Sequence, residues 1–151
     1  MDDTPATGAS AADSPAWELR VAVTVEDFER ALRFYTGDLG LPVVEAWDDP
    51  QGRRGAVLAA GRATLELLST TQAELVDEVE TGGPLPSRPA PPVRLAFAVA
   101  DSTAAADALV AGGAERLGGP VVTPWYHRNV RLRAPDGMQL TLFTVLDPDE
   151  A

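Results

Sequence analysis

Leu19, Val21, Val23 and Val25 alternate with Glu18, Arg20, Ala22 and Thr24, the period-two pattern of a strand with one apolar and one mixed face. The spacing then lengthens. Phe28, Ala31, Leu32, Tyr35 and Leu39 predict the apolar stripe of a helix, capped near Asp27 and stopped at Gly40. Strands are expected at 42–47, 54–60 and 63–69, with Gly61-Arg62 turning the last pair. The order then recurs. Val93, Leu95, Phe97 and Val99 alternate with Arg94, Ala96 and Ala98, and a helix from Asp101 to Ala111 presents Ala105, Ala108 and Leu109 before Gly112-Gly113. Strands near 115–122, 128–133 and 138–145 follow, the last two joined by Pro135-Asp136-Gly137.

The recurrence is visible in the residues themselves. Val25-Glu26-Asp27-Phe28 returns as Val99-Ala100-Asp101-Ser102, and Gly61-Arg62-Ala63-Thr64-Leu65-Glu66-Leu67 returns as Asp136-Gly137-Met138-Gln139-Leu140-Thr141-Leu142. The chain therefore reads as an α+β protein of tandem βαβββ modules, 17–69 and 93–146. Residues 1–16 are small, acidic and without periodicity, which predicts a disordered tail. Segment 70–92 divides in two. Thr71-Gln72-Ala73-Glu74 resembles a capping box opening a short acidic helix over 71–80, with Leu75, Val76 and Val79 on one face and an acidic remainder that is either solvated or a dimer contact. Residues 82–92 hold five prolines and two glycines and read as an extended linker. Residues 147–151 form a short acidic tail.

Composition narrows the chemistry. The chain has 151 residues, 45% of them hydrophobic, enough for a real core. A net charge of −11 argues against nucleic acid or an anionic membrane as partner. No apolar run approaches the roughly 18 residues of a membrane span, and the N-terminus lacks a signal peptide's basic-then-apolar order, so a cytoplasmic protein is expected. Without cysteine there is no disulfide, thiol nucleophile or thiolate metal site. All twelve basic residues are arginine, which excludes a lysine Schiff base and, with the many alanines, suggests a GC-rich bacterial source. Ser69, Ser87 and Ser102 lack a histidine partner placed by local pattern.

Val25-Glu26-Asp27, then Ala31-Leu32-Arg33-Phe34-Tyr35 and Leu39-Gly40-Leu41, with Pro135-Asp136-Gly137-Met138-Gln139-Leu140-Thr141-Leu142 in the second half, resemble the vicinal oxygen chelate superfamily of glyoxalases, bleomycin-resistance proteins and extradiol dioxygenases. The resemblance covers about residues 17–146. It implies paired modules whose sheets curl into a cup-shaped, barrel-like cavity for a small molecule, usually around a divalent metal, and often completed by a homodimer. The periodicity independently supports a cup. By strand parity Thr64, Glu66 and Leu68, and Gln139, Thr141 and Phe143, share a face with Arg20 and Arg94.

Metal-dependent relatives place a histidine on the first strand of each module and a glutamate in the middle of each fourth strand. The matching positions here are Arg20, Glu66, Arg94 and Thr141. Two guanidiniums repel a divalent cation and one carboxylate is too little to hold it, so no metal and no cofactor are expected. The arginines and Glu66 form either a clamp for an anionic ligand or a buried salt bridge. Trp47 and Trp125 are candidate aromatic walls. The lone His127 is a weaker catalytic candidate with Glu66, a solvated loop histidine being the commoner case. Asn129, Arg131 and Arg133 face either the cup or a solvent edge.

Together these features imply a glyoxalase/bleomycin-resistance-like protein that binds a small apolar or aromatic ligand in a metal-free cup, for sequestration, resistance or carriage. A second reading is a metal-independent isomerase, cyclase or lyase in which an arginine stabilises an enolate and Glu66 or His127 moves a proton. A third is a metal-dependent glyoxalase or dioxygenase with its metal in an unfamiliar place.

Overall fold

The computed structural model describes residues 11–83 and 92–151. The first ten residues of the expected N-terminal tail and most of the Pro-rich linker lie outside the described residues. Each half supplies a strand, a helix and three strands. The first half is β1 (Ala16–Val25), α1 (Phe28–Arg33), β2 (Val43–Asp48), β3 (Arg54–Ala60) and β4 (Ala63–Ser69). A connecting helix, α2 (Thr70–Thr81), precedes the second set: β5 (Val93–Val99), α3 (Ser102–Ala111), β6 (Glu115–Val122), β7 (His127–Arg133) and β8 (Gln139–Val145).

The eight strands make one sheet in the order β2-β3-β4-β1-β5-β8-β7-β6. Within each half the first and fourth strands run parallel, β1 with β4 and β5 with β8, and the halves join through the antiparallel pair β1–β5. One face is covered by the module helices. Phe28 of α1 packs on Ala56, Leu58 and Leu67, and Ala106 of α3 packs on Val99, Val130, Leu132 and Leu142. The first helix is capped where expected, Asp27 accepting from the Arg30 amide, and Asp101 caps α3 by accepting from the Ala104 amide.

Two helix faces differ from expectation. The first helix gives way at Phe34–Asp38 to a wider turn, and Leu39 is 61% exposed rather than packed. In α3 the buried positions are Ser102 and Ala106, while Ala108 and Leu109 face solvent. Ser102 sets that rotation by donating to the Arg128 carbonyl on β7.

The larger difference is α2. It lies against the other face of the sheet and touches β1, β3 and β4 as well as β6 and β7. A helix of 12 residues is about 18 Å long, whereas β3 and β6 in a flat sheet would stand six strand spacings, about 29 Å, apart. The sheet therefore curls around α2 without closing. The helix is capped by Ser69, whose hydroxyl accepts from the Gln72 amide, rather than at Thr71. Only half of its acidic residues are solvated: Glu74 and Glu78 are exposed, whereas Asp77 is 6% and Glu80 2% exposed. Among the described residues no helix is long and apolar enough to cross a membrane.

Candidate functional site

The second half of the cup holds α2 by a buried polar cluster. Arg131 donates through Nε to Glu80 Oε2 at 2.6 Å and through Nη1 to Asp77 Oδ1 at 2.9 Å. Asn129 Nδ2 donates to Glu80 Oε1 at 2.9 Å, and Thr141 Oγ1 to Glu80 Oε2 at 2.9 Å. Close approach needs Gly118 on β6, where a Cβ would overlap the Glu80 carbonyl. Burial alone would raise the Glu80 pKa, but Arg94, Arg131 and the bond from Asn129 hold it below the ordinary carboxylate range. Asn129 and Arg131 thus face the cup side, whereas Arg133 pairs with Glu115 at an exposed edge.

Between α2 and the sheet lies a cavity of about 400 Å³. Arg20, Glu66, Arg94, Thr141, Trp47, Trp125 and His127, drawn from both modules, all line it. Strand parity explains this convergence: Ala22 on β1 is the register partner of Glu66 on β4 and of Arg94 on β5, so the three share one face in a row.

Arg20 has a partner two residues away. Its Nε and Nη2 donate to Glu18 Oε2 and Oε1 at 2.6 and 3.2 Å, and Thr64 donates to Glu18 Oε2 at 3.0 Å. Glu66 stands farther off, with its Oε2 3.6 Å from Arg20 Nη1. Burial works against the Arg20 charge, yet Glu18 and then Glu66 hold its pKa above the ordinary value. The cation also lies 5.1 Å from the Phe143 ring centroid. Arg94 donates through Nη1 to Thr141 Oγ1 at 2.8 Å, and Thr141 passes the chain on to Glu80.

Glu66 is the least committed of these groups. Its side chain is 13% exposed and makes no tight bidentate pair. Burial pushes its pKa above the ordinary carboxylate range against the pull of Arg94 and then Arg20, while Glu80 pushes in the same direction as burial.

The aromatic walls are positioned by neighbouring small residues and turns. Trp47 faces Gly55 across the β2–β3 hairpin, and any Cβ at Gly55 would overlap the indole. Trp125 is held in a turn in which Tyr126, at φ 63°, donates its amide to Thr123 and Thr123 donates to His127. His127 is the first residue of β7 and not a solvated loop residue. Its ring stacks on Phe143 at 5.0 Å, and burial, aided by the Arg20 charge, lowers its pKa to about 4 against Glu18 and Glu80.

A resident divalent metal does not fit this donor set. Two of the four matching positions are guanidiniums, already engaged by Glu18 and Thr141. Among the described residues no group of three or more histidine, aspartate or glutamate side chains is arranged to hold a metal ion.

Several lining residues escape a reading of the sequence: Glu45, Gln72, Leu75, Val76, Glu80 and Pro124. Gln72, Val76 and Glu80 recur every four residues, one face of α2, but only the fold shows that this face covers the cup. Glu18 was legible from parity, since residues two apart on a strand share a face.

The sequence profile of the Glyoxalase/Bleomycin resistance protein/Dioxygenase superfamily matches residues 19–142. No curated protein gave a significant match. Solved structures agree on the fold. A hypothetical protein from Bacillus halodurans C-125 is 19% identical, with 87% of this chain and 96% of that one covered and a TM-score of 0.63. A methylmalonyl-CoA epimerase in complex with methylmalonyl-CoA and NH4+ is 23% identical, with 89% and 100% covered and a TM-score of 0.61. A superfamily member from Vibrio splendidus 12B01 is 13% identical, with 83% and 97% covered and a TM-score of 0.53.

Proposed function

Because the chain belongs to the Glyoxalase/Bleomycin resistance protein/Dioxygenase superfamily, we propose that its cup binds a small apolar or aromatic molecule directly, without a metal, for sequestration, resistance or carriage. One observation carries this reading: a cavity of about 400 Å³ with Trp47, Trp125, His127 and Phe143 in its walls and, among the described residues, no donor set suited to a divalent cation. Shape and aromatic surface supply affinity, and Glu66, Arg94 and Thr141 orient the ligand. Cytoplasmic action as a homodimer belongs to the same reading, and superfamily members are often dimeric. Light scattering at the mass of a monomer would remove the dimer from it.

A thermal-shift screen with cationic antibiotics and anionic aromatic metabolites tests the reading. At least one aromatic class is expected to raise Tm, with the rise lost on Trp125→Ala. A protein that responds to none of them, or that carries stoichiometric zinc, iron or nickel when purified without chelator, contradicts it.

The state of Glu66 favours a second reading, a metal-independent isomerase, cyclase or lyase. A buried carboxyl with a raised pKa and no tight partner is suited to proton transfer. Arg94 would stabilise the developing oxyanion. His127, with its pKa lowered to about 4, is a poorer proton store. Ligand C–H exchange in deuterated water, abolished by Glu66→Gln, distinguishes this from binding alone.

A further inference from the structure

Resting on the small-molecule reading, we propose that the cavity selects aromatic molecules bearing an amine, with the ammonium group seated at Glu66. The two arginines that suggested an anion clamp are committed elsewhere. Glu18 holds Arg20 through two hydrogen bonds. Asp77 and Glu80 hold Arg131, and Glu80 also faces Arg94, the largest charge acting on it. Three guanidiniums are thereby matched by three carboxylates.

Glu66 is left over. Arg94 and then Arg20 act on it, but Arg94 is shared with Glu80, and Arg20, at 3.6 Å, is already held by Glu18. Glu45 stands on the same side, because Glu45 and Glu66 are both register partners of Val57. Glu45 also lines the cavity. Five carboxylates, Glu18, Glu45, Glu66, Asp77 and Glu80, thus stand against three guanidiniums, Arg20, Arg94 and Arg131, and Glu45 and Glu66 line the cavity together with Trp47 and Trp125. Carboxylates among aromatic faces attract an organic cation by charge and by the ring quadrupole together. A ligand carboxylate would meet Glu66 and Glu45 with the wrong sign. Burial, with a smaller push from Glu80, raises the Glu66 pKa against Arg94 and Arg20, and a cation seated beside the carboxylate would lower it again.

Isothermal titration of the full chain with phenethylamine, 2-phenylethanol, L-phenylalanine and 3-phenylpropionate isolates the charge, because all four share one ring. Phenethylamine is expected to bind at least about 10-fold tighter than each of the others, a difference of about 1.4 kcal/mol. In Glu66→Gln, which keeps the side-chain shape, that preference is expected to disappear, with phenethylamine binding no tighter than 2-phenylethanol. Repeating the titration in buffers of different ionisation enthalpy should show proton release on phenethylamine binding in the unmodified chain and none in Glu66→Gln. Equal or tighter binding of 3-phenylpropionate, L-phenylalanine or 2-phenylethanol overturns the amine assignment and leaves the binding reading standing. So does a preference that survives Glu66→Gln. Binding of none of the four overturns both.

Discussion

Arg131 and Glu80 meet at 2.6 Å with each side chain about 1% exposed, so the helix that roofs the cup is fastened by a buried ion pair. Removing one partner of such a pair leaves an uncompensated buried charge, at a cost of about 3–5 kcal/mol. Arg131→Met is expected to lower Tm by roughly 6–20 °C, taking about 2–4 °C per kcal/mol for a chain of this size. Replacing Asp77, Glu80 and Arg131 together with apolar residues should recover much of that loss. Differential scanning calorimetry of both variants checks the pair. A single variant as stable as the parent would show that α2 is held by something else.

The Glu66 carboxyl titrates above its ordinary value in the folded chain, so folding favours its protonated form. That contribution is fully present below the unfolded value of 4.5 and is lost as pH rises through the folded value. Glu66→Gln should therefore match the parent in stability at acid pH and exceed it at mildly alkaline pH. Urea denaturation across that range measures the difference. A variant less stable than the parent at high pH would mean that Glu66 is held by a stronger partner than Arg20.

His127 has the opposite sign. With its folded pKa lowered from 6.5 to about 4, the unfolded chain binds the proton more readily in that interval, and stability falls as pH drops through it. The imidazole proton resonances should remain unchanged on passing 6.5 and shift only near 4. His127→Phe keeps the stack on Phe143 and should flatten stability across the same interval. A titration centred at 6.5 would place the ring in solvent.

Gly55→Ala pushes a methyl group into the Trp47 indole. Overpacking of this kind costs about 1–3 kcal/mol, and here it moves a wall of the cavity. The variant should fold with red-shifted tryptophan emission and bind any aromatic ligand about 10-fold more weakly. Unchanged emission and affinity would remove Trp47 from the site.

Strand alternation made much of the site legible. Parity along 18–25, 63–69, 93–99 and 138–145 fixes which side chains share a face, and this brings Arg20, Glu66, Arg94 and Thr141 to one cavity. The roof was not legible. Asp77 and Glu80 at helical spacing look like a solvated face, because their partner Arg131 lies 54 and 51 residues farther along the chain. Pro124 obscured the start of β7, so His127 read as a loop residue until its stack on Phe143 placed it in the wall. The pairing of Arg20 with Glu18 was available from parity, and it changes the balance of charge in the cup.

On the proposed reading the cup binds its ligand directly and needs no metal. The decisive measurement is calorimetric titration of an aromatic ligand from the thermal-shift screen, with and without excess chelator. The same affinity and stoichiometry under both conditions is the predicted result. Binding that disappears in chelator and returns with a divalent metal would contradict it.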